Sequence, residues 1–309
     1  MPRPKIIHLS QETVDNMQLT APNLVLVHIF QKNVDRKTEG GIIMISETET
    51  DWQPDVHADR VGIVKHVPSQ LIKKRDHLWK TTVEVKVGDM VWFDPMVAMN
   101  SDIIITDQGE YYLLDYFSLH IVRRGDDVVC LNGYCIFDLV HDTSMSPLAI
   151  DFGKLDSRYG ILKYKGSCNS YYYTGLSDDE RLEIGDKCIF KSPPVTLEGG
   201  YHNVFEGKEQ YRISQRYNAV GFIRDGRLYA STNHVVIVPQ MPSHTASGLE
   251  IPAPYRKPNG YGEVYDSGYY ELSKGDHIKY PIGSFVTIEF EGQTLHIIHS
   301  DYIQVKMLV

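Results

Sequence analysis

The chain has 309 residues, of which 42% are hydrophobic and 23% charged, so it is long enough to bury more than one hydrophobic core. Its 31 lysines and arginines are outnumbered by 40 aspartates and glutamates, and the net charge of −9 argues against the broad basic face of a nucleic-acid-binding protein. The sequence lacks both an apolar run long enough to span a membrane and the apolar middle region of a secretory signal, so we expect a cytoplasmic protein without a nucleic-acid or membrane partner.

Taken in chain order, the sequence predicts one helix and many short strands. Ser10 to Leu19 has the pattern of a short helix with Ser10 as its N-cap. The abundant tyrosines and β-branched residues favour strands, which apolar or alternating runs between turn residues place at 24–30, 61–67, 90–93, 102–106, 128–140, 159–164, 187–191, 217–223, 234–238, 262–265, 285–290 and 294–299. The pattern predicts an all-β fold made of small barrels or sandwiches.

One block of sequence occurs three times, as a first strand, a second strand that contains glycine, and a Gly-Asp step before a third strand. The strand glycines are spaced by 98 and 102 positions, at Gly62, Gly160 and Gly262. The Gly-Asp steps keep pace with them, at Gly88-Asp89, Gly185-Asp186 and Gly275-Asp276. Two landmarks that recur in step indicate three copies of one β-domain of about 90 to 100 residues.

These repeats predict an N-terminal extension at 1–20 and three domains at 21–125, 126–228 and 229–309. The polar segments 124–127 and 224–227 are predicted to be surface linkers between domains. We assign the Gly-Asp steps to turns, in which the carboxylate accepts backbone hydrogen bonds. We expect the strand glycines to mark bulges or tight bends.

The connection at 31–59 is unusually long and polar, and it holds a single apolar island at 41–45. A polar loop of this length is typical of a functional or disordered segment, so we expect it to be poorly ordered without a partner. Three large apolar residues in succession within a solvated loop favour a binding site. The alternative is that residues 42–45 form an edge strand covering their own barrel.

From Leu24 to Val122 the first copy resembles a subunit of the GroES-type co-chaperonins. The resemblance lies in the first strand, the loop ending in Gly40-Gly41-Ile42-Ile43-Met44, the strand at 60–64, the segment 85–93 and the closing strands. It implies three tandem GroES-like small β-barrels and a loop that stays mobile until an apolar tripeptide docks in a groove of a GroEL-like chaperonin. The chaperonin-binding residues are then Ile42, Ile43 and Met44, preceded by the loop glycines Gly40 and Gly41.

The other two copies carry apolar residues at the corresponding loop position. These residues are Leu148 and Ile150 in the second copy, and Leu249 and Ile251, after Gly248, in the third. The strand glycine and the Gly-Asp step are 26 and 25 positions apart in the first two copies but 13 in the third, which leaves no room for the roof hairpin of this family. Family members form seven-membered rings, so a homo-oligomeric ring is expected, with a stoichiometry that three repeats leave open.

The resemblance implies a co-chaperonin that caps a folding chamber, assists ATP-dependent folding and has no catalysis of its own. A structural or virion-type scaffold built from repeated GroES-like barrels is the alternative. The sequence has no nucleophile motif, P-loop or paired catalytic carboxylates, which argues against an enzyme. No CxxC spacing or disulfide framework links the cysteines, which we interpret as packing residues, so neither a metal nor another cofactor is expected: Cys130, Cys135, Cys168 and Cys188.

Overall fold

A computed structural model describes residues 5–29, 61–72, 83–94, 97, 100–141, 155–167, 181–192 and 211–307, and the backbone of three short strands at 35–37, 43–45 and 195–196. The helix predicted near the N-terminus is present as α1 (Gln11–Asn16) and is shorter than expected. Ser10 caps it, because its hydroxyl accepts a hydrogen bond from the backbone N–H of Thr13 at 3.2 Å.

The strands fall into three groups along the chain. The first group is β1 (Ile6–His8), β2 (Leu24–Ile29), β3 (Asp35–Lys37), β4 (Ile43–Ile45), β5 (Val61–His66), β6 (Met90–Phe93), β7 (Ile103–Thr106), β8 (Gly109–Asp115), β9 (Leu119–Arg124) and β10 (Asp127–Cys130). The second is β11 (Tyr134–His141), β12 (Leu155–Tyr164), β13 (Lys187–Phe190), β14 (Val195–Thr196), β15 (Tyr211–Gln215), β16 (Ala219–Arg224) and β17 (Arg227–Ala230). The third is β18 (His234–Pro239), β19 (Tyr261–Ser267), β20 (His277–Lys279), β21 (Val286–Phe290), β22 (Gln293–His299) and β23 (Val305–Met307).

Each group forms a sheet, and six strands follow the same order in all three sheets. The orders are β1-β7-β8-β2-β5-β6-β9-β10, β14-β15-β11-β12-β13-β16-β17 and β21-β22-β18-β19-β20-β23, while β3 and β4 form a small sheet of their own. In each large sheet the closing hairpin pairs with the first strand, which pairs with the glycine-containing strand. The all-β prediction is confirmed, and over the described residues none of the three sheets closes into a barrel.

The two segments predicted to be linkers are hairpin turns, so that prediction is wrong. β9 pairs with β10 across Gly125, and β16 pairs with β17 across Gly226. Both glycines have positive φ, 64° and 72°, as tight turns require. Consequently β10 and β17 extend the preceding sheet to Cys130 and Ala230, past the predicted domain boundaries.

The glycine within the second strand is required by a close approach of the first strand. A Cβ on Gly62 would lie 2.7 Å from the carbonyl oxygen of His28, and a Cβ on Gly262 would lie 2.6 Å from that of Val238. In both sheets the pairing register shifts on the first strand just before that carbonyl, between Leu26 and Val27 and between Val236 and Ile237. These glycines lie beside β-bulges, as predicted.

The Gly-Asp steps are turns in which the aspartate accepts the backbone N–H of the residue three positions earlier. The donors are Lys86, Glu183 and Ser273, each at 2.7 Å from the carboxylate. Each carboxylate also binds a cation from another strand of the same sheet: Arg124 of β9 on Asp89, Arg224 of β16 on Asp186 and Lys306 of β23 on Asp276. The three turns therefore have a structural role, as expected.

The chain divides into two compact units. The first is Met1–Ile136 with Tyr164–Thr174 and Val195–Ile213, and the second is Phe137–Lys163, Gly175–Pro194 and Ser214–Val309. The first sheet has a buried hydrophobic core that includes Phe93, Leu114 and Tyr116. The third sheet has one that includes Val264, Ile278 and Tyr280. The division falls inside the second copy, so three separate domains remain a prediction.

Candidate binding loops

The loop between β18 and β19 is the one predicted binding loop whose side chains are described. It forms a short hairpin, because the N–H of Ile251 donates to the carbonyl of Ser243 at 2.7 Å and the N–H of Thr245 donates to that of Leu249 at 2.8 Å. His244 and Glu250 lie opposite each other in this hairpin. The predicted tripeptide, 249–251, therefore starts at the tip and continues along the returning arm.

Local polar contacts fix the tip of this hairpin. The hydroxyl of Thr245 accepts the N–H of Leu249 at 3.0 Å and lies 2.9 Å from the hydroxyl of Ser247. Gly248 has a φ of 84°, and its N–H donates to the carbonyl of Thr245 at 2.9 Å. A glycine at this position allows the chain to reverse immediately before the apolar residues.

The hairpin presents its first apolar residue to solvent. Leu249 is 69% exposed, Glu250 is exposed and Ile251 is half-buried. The Nε of Arg256 donates to the carbonyl of Ile251 at 3.0 Å, which fastens the returning arm. Of the residues predicted to bind in this copy, Leu249 is thus accessible to a partner and Ile251 only in part.

Tyr255 is a second exposed apolar side chain of the same loop that sequence reasoning missed. It is 73% exposed and lies in a 3₁₀ turn, Ala253–Tyr255, just after the tripeptide. Tyrosine is frequent throughout the chain, so no sequence signal set this one apart. Together with Leu249, and with Met241 at 37% exposure, it gives the loop three exposed large apolar side chains.

The loop of the first copy has a backbone hairpin with the same register. β3 and β4 pair antiparallel, with Lys37 opposite Ile43 and Arg36 opposite Met44. The pairs Lys37–Ile43 and His244–Glu250 enclose loops of equal length, which makes Gly41 equivalent to Gly248 and Ile42 equivalent to Leu249. In both loops the flanking backbone pairs therefore have the same spacing along the sequence.

Several predicted site residues lie outside the part of the chain that the structure describes. These are Gly40, Gly41, Ile42, Leu148 and Ile150, with most of 31–59, and for Ile43 and Met44 only the backbone is described. Over the described backbone, β4 pairs with β3 and is separate from the eight-stranded sheet.

The described cysteines are buried thiols, which confirms their role in packing. They are Cys130, Cys135 and Cys188, and Cys168 is outside the described residues. Burial is the main cause that raises the pKa of Cys130, and the neighbouring Cys135 raises it further. Among residues with described positions, no three His, Cys, Asp or Glu side chains gather as metal ligands.

Comparison of the chain with models of protein families finds no match, and comparison with curated proteins finds none either. No helix in the described ranges has the length and hydropathy needed to cross a membrane.

Proposed function

We propose that this chain is a co-chaperonin that caps a GroEL-like folding chamber and assists ATP-dependent folding, with no catalysis of its own. The observation that supports this proposal is the backbone pairing shared by the first and third loops, together with the glycine turn at Gly248 directly before Leu249 in the third. The three sheets, with their common strand order, are proposed to be GroES-like units.

Leu249 is suited to bind a partner because its exposed apolar side chain gains free energy on leaving water. Full burial of a leucine side chain contributes roughly 1.5–3 kcal/mol. The hairpin bonds at Thr245 and the contact of Arg256 with Ile251 already order the backbone, which lowers the entropic cost of docking. In the first copy, Ile42, Ile43 and Met44 are proposed to bind in the same way.

Single loops of this kind bind weakly, and a repeated chain overcomes this by presenting several together. Loops fixed to one scaffold raise the effective concentration of each for a multimeric partner, and they release together when the partner's grooves move. The second copy would add Leu148 and Ile150. A homo-oligomeric ring of chains would extend the same effect.

The test is binding of the purified chain to a chaperonin ring, by co-sedimentation with and without nucleotide and by the chaperonin ATPase rate. Ile43→Ala and Leu249→Ala should each weaken nucleotide-dependent co-sedimentation without lowering the thermal midpoint. Ile184→Ala is the matched control, because Ile184 is also 69% exposed but lies in a Gly-Asp turn. It should bind like the parent chain.

Three results would count against the proposal. No nucleotide-dependent binding by the parent chain, or equal binding by the loop variants and the parent, would favour the alternative, a structural or virion-type scaffold. A large drop in thermal midpoint for Leu249→Ala would show that this loop belongs to the folded core.

A further inference from the structure

In the first unit, the first copy packs against the second through an apolar contact. Trp92, Ile121 and Cys130 come from β6, β9 and β10 of the first sheet, and we call this set the docking edge. It packs on the first and closing strands of the second sheet at Ile136, Tyr211 and Ile213, which we call the receiving face. All six residues are buried.

In the second unit, the second copy packs against the third through equivalent positions. By strand register, Ile189, Gly221 and Ala230 correspond to the docking edge. Val236, Leu295 and Ile297 correspond to the receiving face, and they form a buried cluster with Ile189 and Ala230. An ideal Cβ on Gly221 would lie 3.0 Å from Ile297 Cδ1, so this edge contacts this face directly. One type of interface is therefore used twice.

The first sheet has a receiving face too, at Leu26, Tyr111 and Leu113. The N-terminal segment covers this face. Val14 of α1 is fully buried against Leu26, Ile104 and Tyr111, and Leu9, Met17 and Leu19 pack around them.

Polar contacts hold the segment in place. The Oε1 of Gln11 accepts hydrogen bonds from the hydroxyls of Tyr111 at 3.0 Å and Thr106 at 2.9 Å. The carbonyl of Val14 lies 2.6 Å from His66 Nε2, and Asp15 lies 2.6 Å from Lys65 Nζ. β1 pairs in parallel with β7 along the same side.

The docking edge of the third copy differs in chemistry from the other two. Lys279 takes the place of Trp92 and Ile189, and Val305, at the position of Ile121, is 48% exposed. A charged side chain at the centre of an apolar interface costs free energy unless it is paired. This edge is therefore less suited than the other two to pack on an apolar receiving face.

We propose that residues Leu9–Leu19 are a terminal cap that occupies the receiving face of the first copy in the place of a preceding copy, and so prevents association of chains through this face. The cap is independent of the proposed function. A ring of chains would have to use other surfaces, or form with the cap displaced.

The test cuts the cap from the intact folded chain. A site for a specific protease is placed across the exposed residues 20–22, and the cleaved chain is followed by light scattering on a sizing column and by binding of a fluorescent peptide of residues 5–20. We compare the parent, Val14→Asp and, as a control on the exposed side of α1, Glu12→Gln.

After cleavage of the Val14→Asp chain, the N-terminal segment should separate from the rest of the protein on the column. The remaining protein should then associate, so that its mass increases with concentration. Addition of the residue 5–20 peptide with the parent sequence should reverse this association. A peptide carrying Val14→Asp should bind about 30-fold more weakly or worse, because it places a carboxylate in an apolar contact. If the cleaved variant keeps the mass of the uncleaved chain and binds no peptide, the cap proposal is wrong. Loss of β-sheet circular dichroism on cleavage would also refute it, by showing that the segment is part of the core.

Discussion

Arg124 donates two hydrogen bonds to the carboxylate of Asp89, from Nε at 2.9 Å to Oδ1 and from Nη2 at 2.6 Å to Oδ2. Asp89 is 4% exposed, whereas the arginine lies near the surface. Burial raises the pKa of Asp89, but the bonds from Arg124 and from the N–H of Lys86 outweigh it, and the net pKa is lower than usual. This ion pair connects the Gly-Asp turn to the last residue of β9.

Replacement of Asp89 by Ala should destabilise the protein by about 2–4 kcal/mol, since it leaves the Lys86 N–H and the guanidinium without their acceptor. Urea unfolding measures this loss. Asp276→Ala is the comparison in the third copy, where the carboxylate is 22% exposed and its partner is Lys306. A smaller shift of the midpoint is expected there, and equal shifts would contradict the argument from burial.

Acid should destabilise the third copy through two buried histidines. Burial lowers the pKa of His234 and of His296 to about 4, compared with about 6.5 in an unfolded chain. Between these values the unfolded state binds more protons, so stability is complete above pH of about 6.5 and falls as the pH approaches 4. Each histidine should account for a loss on the order of 3 kcal/mol.

Urea unfolding at several pH values between 7.5 and 4.5 tests this dependence. His296 contacts the Tyr280 hydroxyl at 3.0 Å, and Phe285 stacks on its ring at 3.7 Å, so His296→Gln removes a titrating group while retaining a polar one. The slope of stability against pH should fall in this variant without vanishing, because burial also lowers the pKa of His234, His299 and His28. An unchanged slope would assign the acid sensitivity to other groups.

Gly62→Ala should be costly for a steric reason. The added Cβ would meet the backbone oxygen of His28 at 2.7 Å, and a backbone atom within a paired strand cannot move away easily. We expect a loss of about 2–3 kcal/mol. Gly125→Ala should lose only about 1 kcal/mol, because its hairpin turn has open space and a positive φ is the sole strain. Thermal unfolding of both variants should show this difference, and equal midpoints would contradict it.

Trp92→Ala should destabilise the contact between the first two copies by about 3–5 kcal/mol, because the indole is fully buried and its removal leaves a cavity. Val87→Ala is the control, since Val87 is largely exposed and should change stability by less than about 0.5 kcal/mol. Guanidinium unfolding of the two variants tests this contrast. A loss of less than about 1 kcal/mol for Trp92→Ala would mean that the first docking edge contributes little to the stability of the protein.

The sequence was sufficient to predict the repeat, because its landmarks are backbone requirements. Gly62 and Gly262 must be glycine wherever the first strand approaches so closely, and Asp89 recurs as Asp186 and Asp276 because the turn needs its carboxylate. The linkers were mispredicted because a tight hairpin turn and a linker share the same polar, glycine-containing composition. The strand predicted at 128–140 was likewise two strands, β10 and β11, with a turn at Asn132 and Gly133 between them.

For the loops, the position of the apolar residues could be predicted and their geometry could not. The correspondence of Ile42 with Leu249 was predicted from the sequence, but the backbone pairing beside these residues becomes visible only in the structure. The helix at Ser10 was predicted from local signals. Its contact with Ile104 and Tyr111 depends on residues about ninety positions away, which no local pattern records.

The connections between copies are very short: three residues separate β10 from β11, and three separate β17 from β18. Each docking edge is therefore presented to its receiving face at a local concentration that dilution of the protein does not change. A ring of separate subunits falls apart below its dissociation constant, whereas these two contacts persist in a single molecule. A cell could thus make this protein in very small amounts and still have every copy joined to its neighbour.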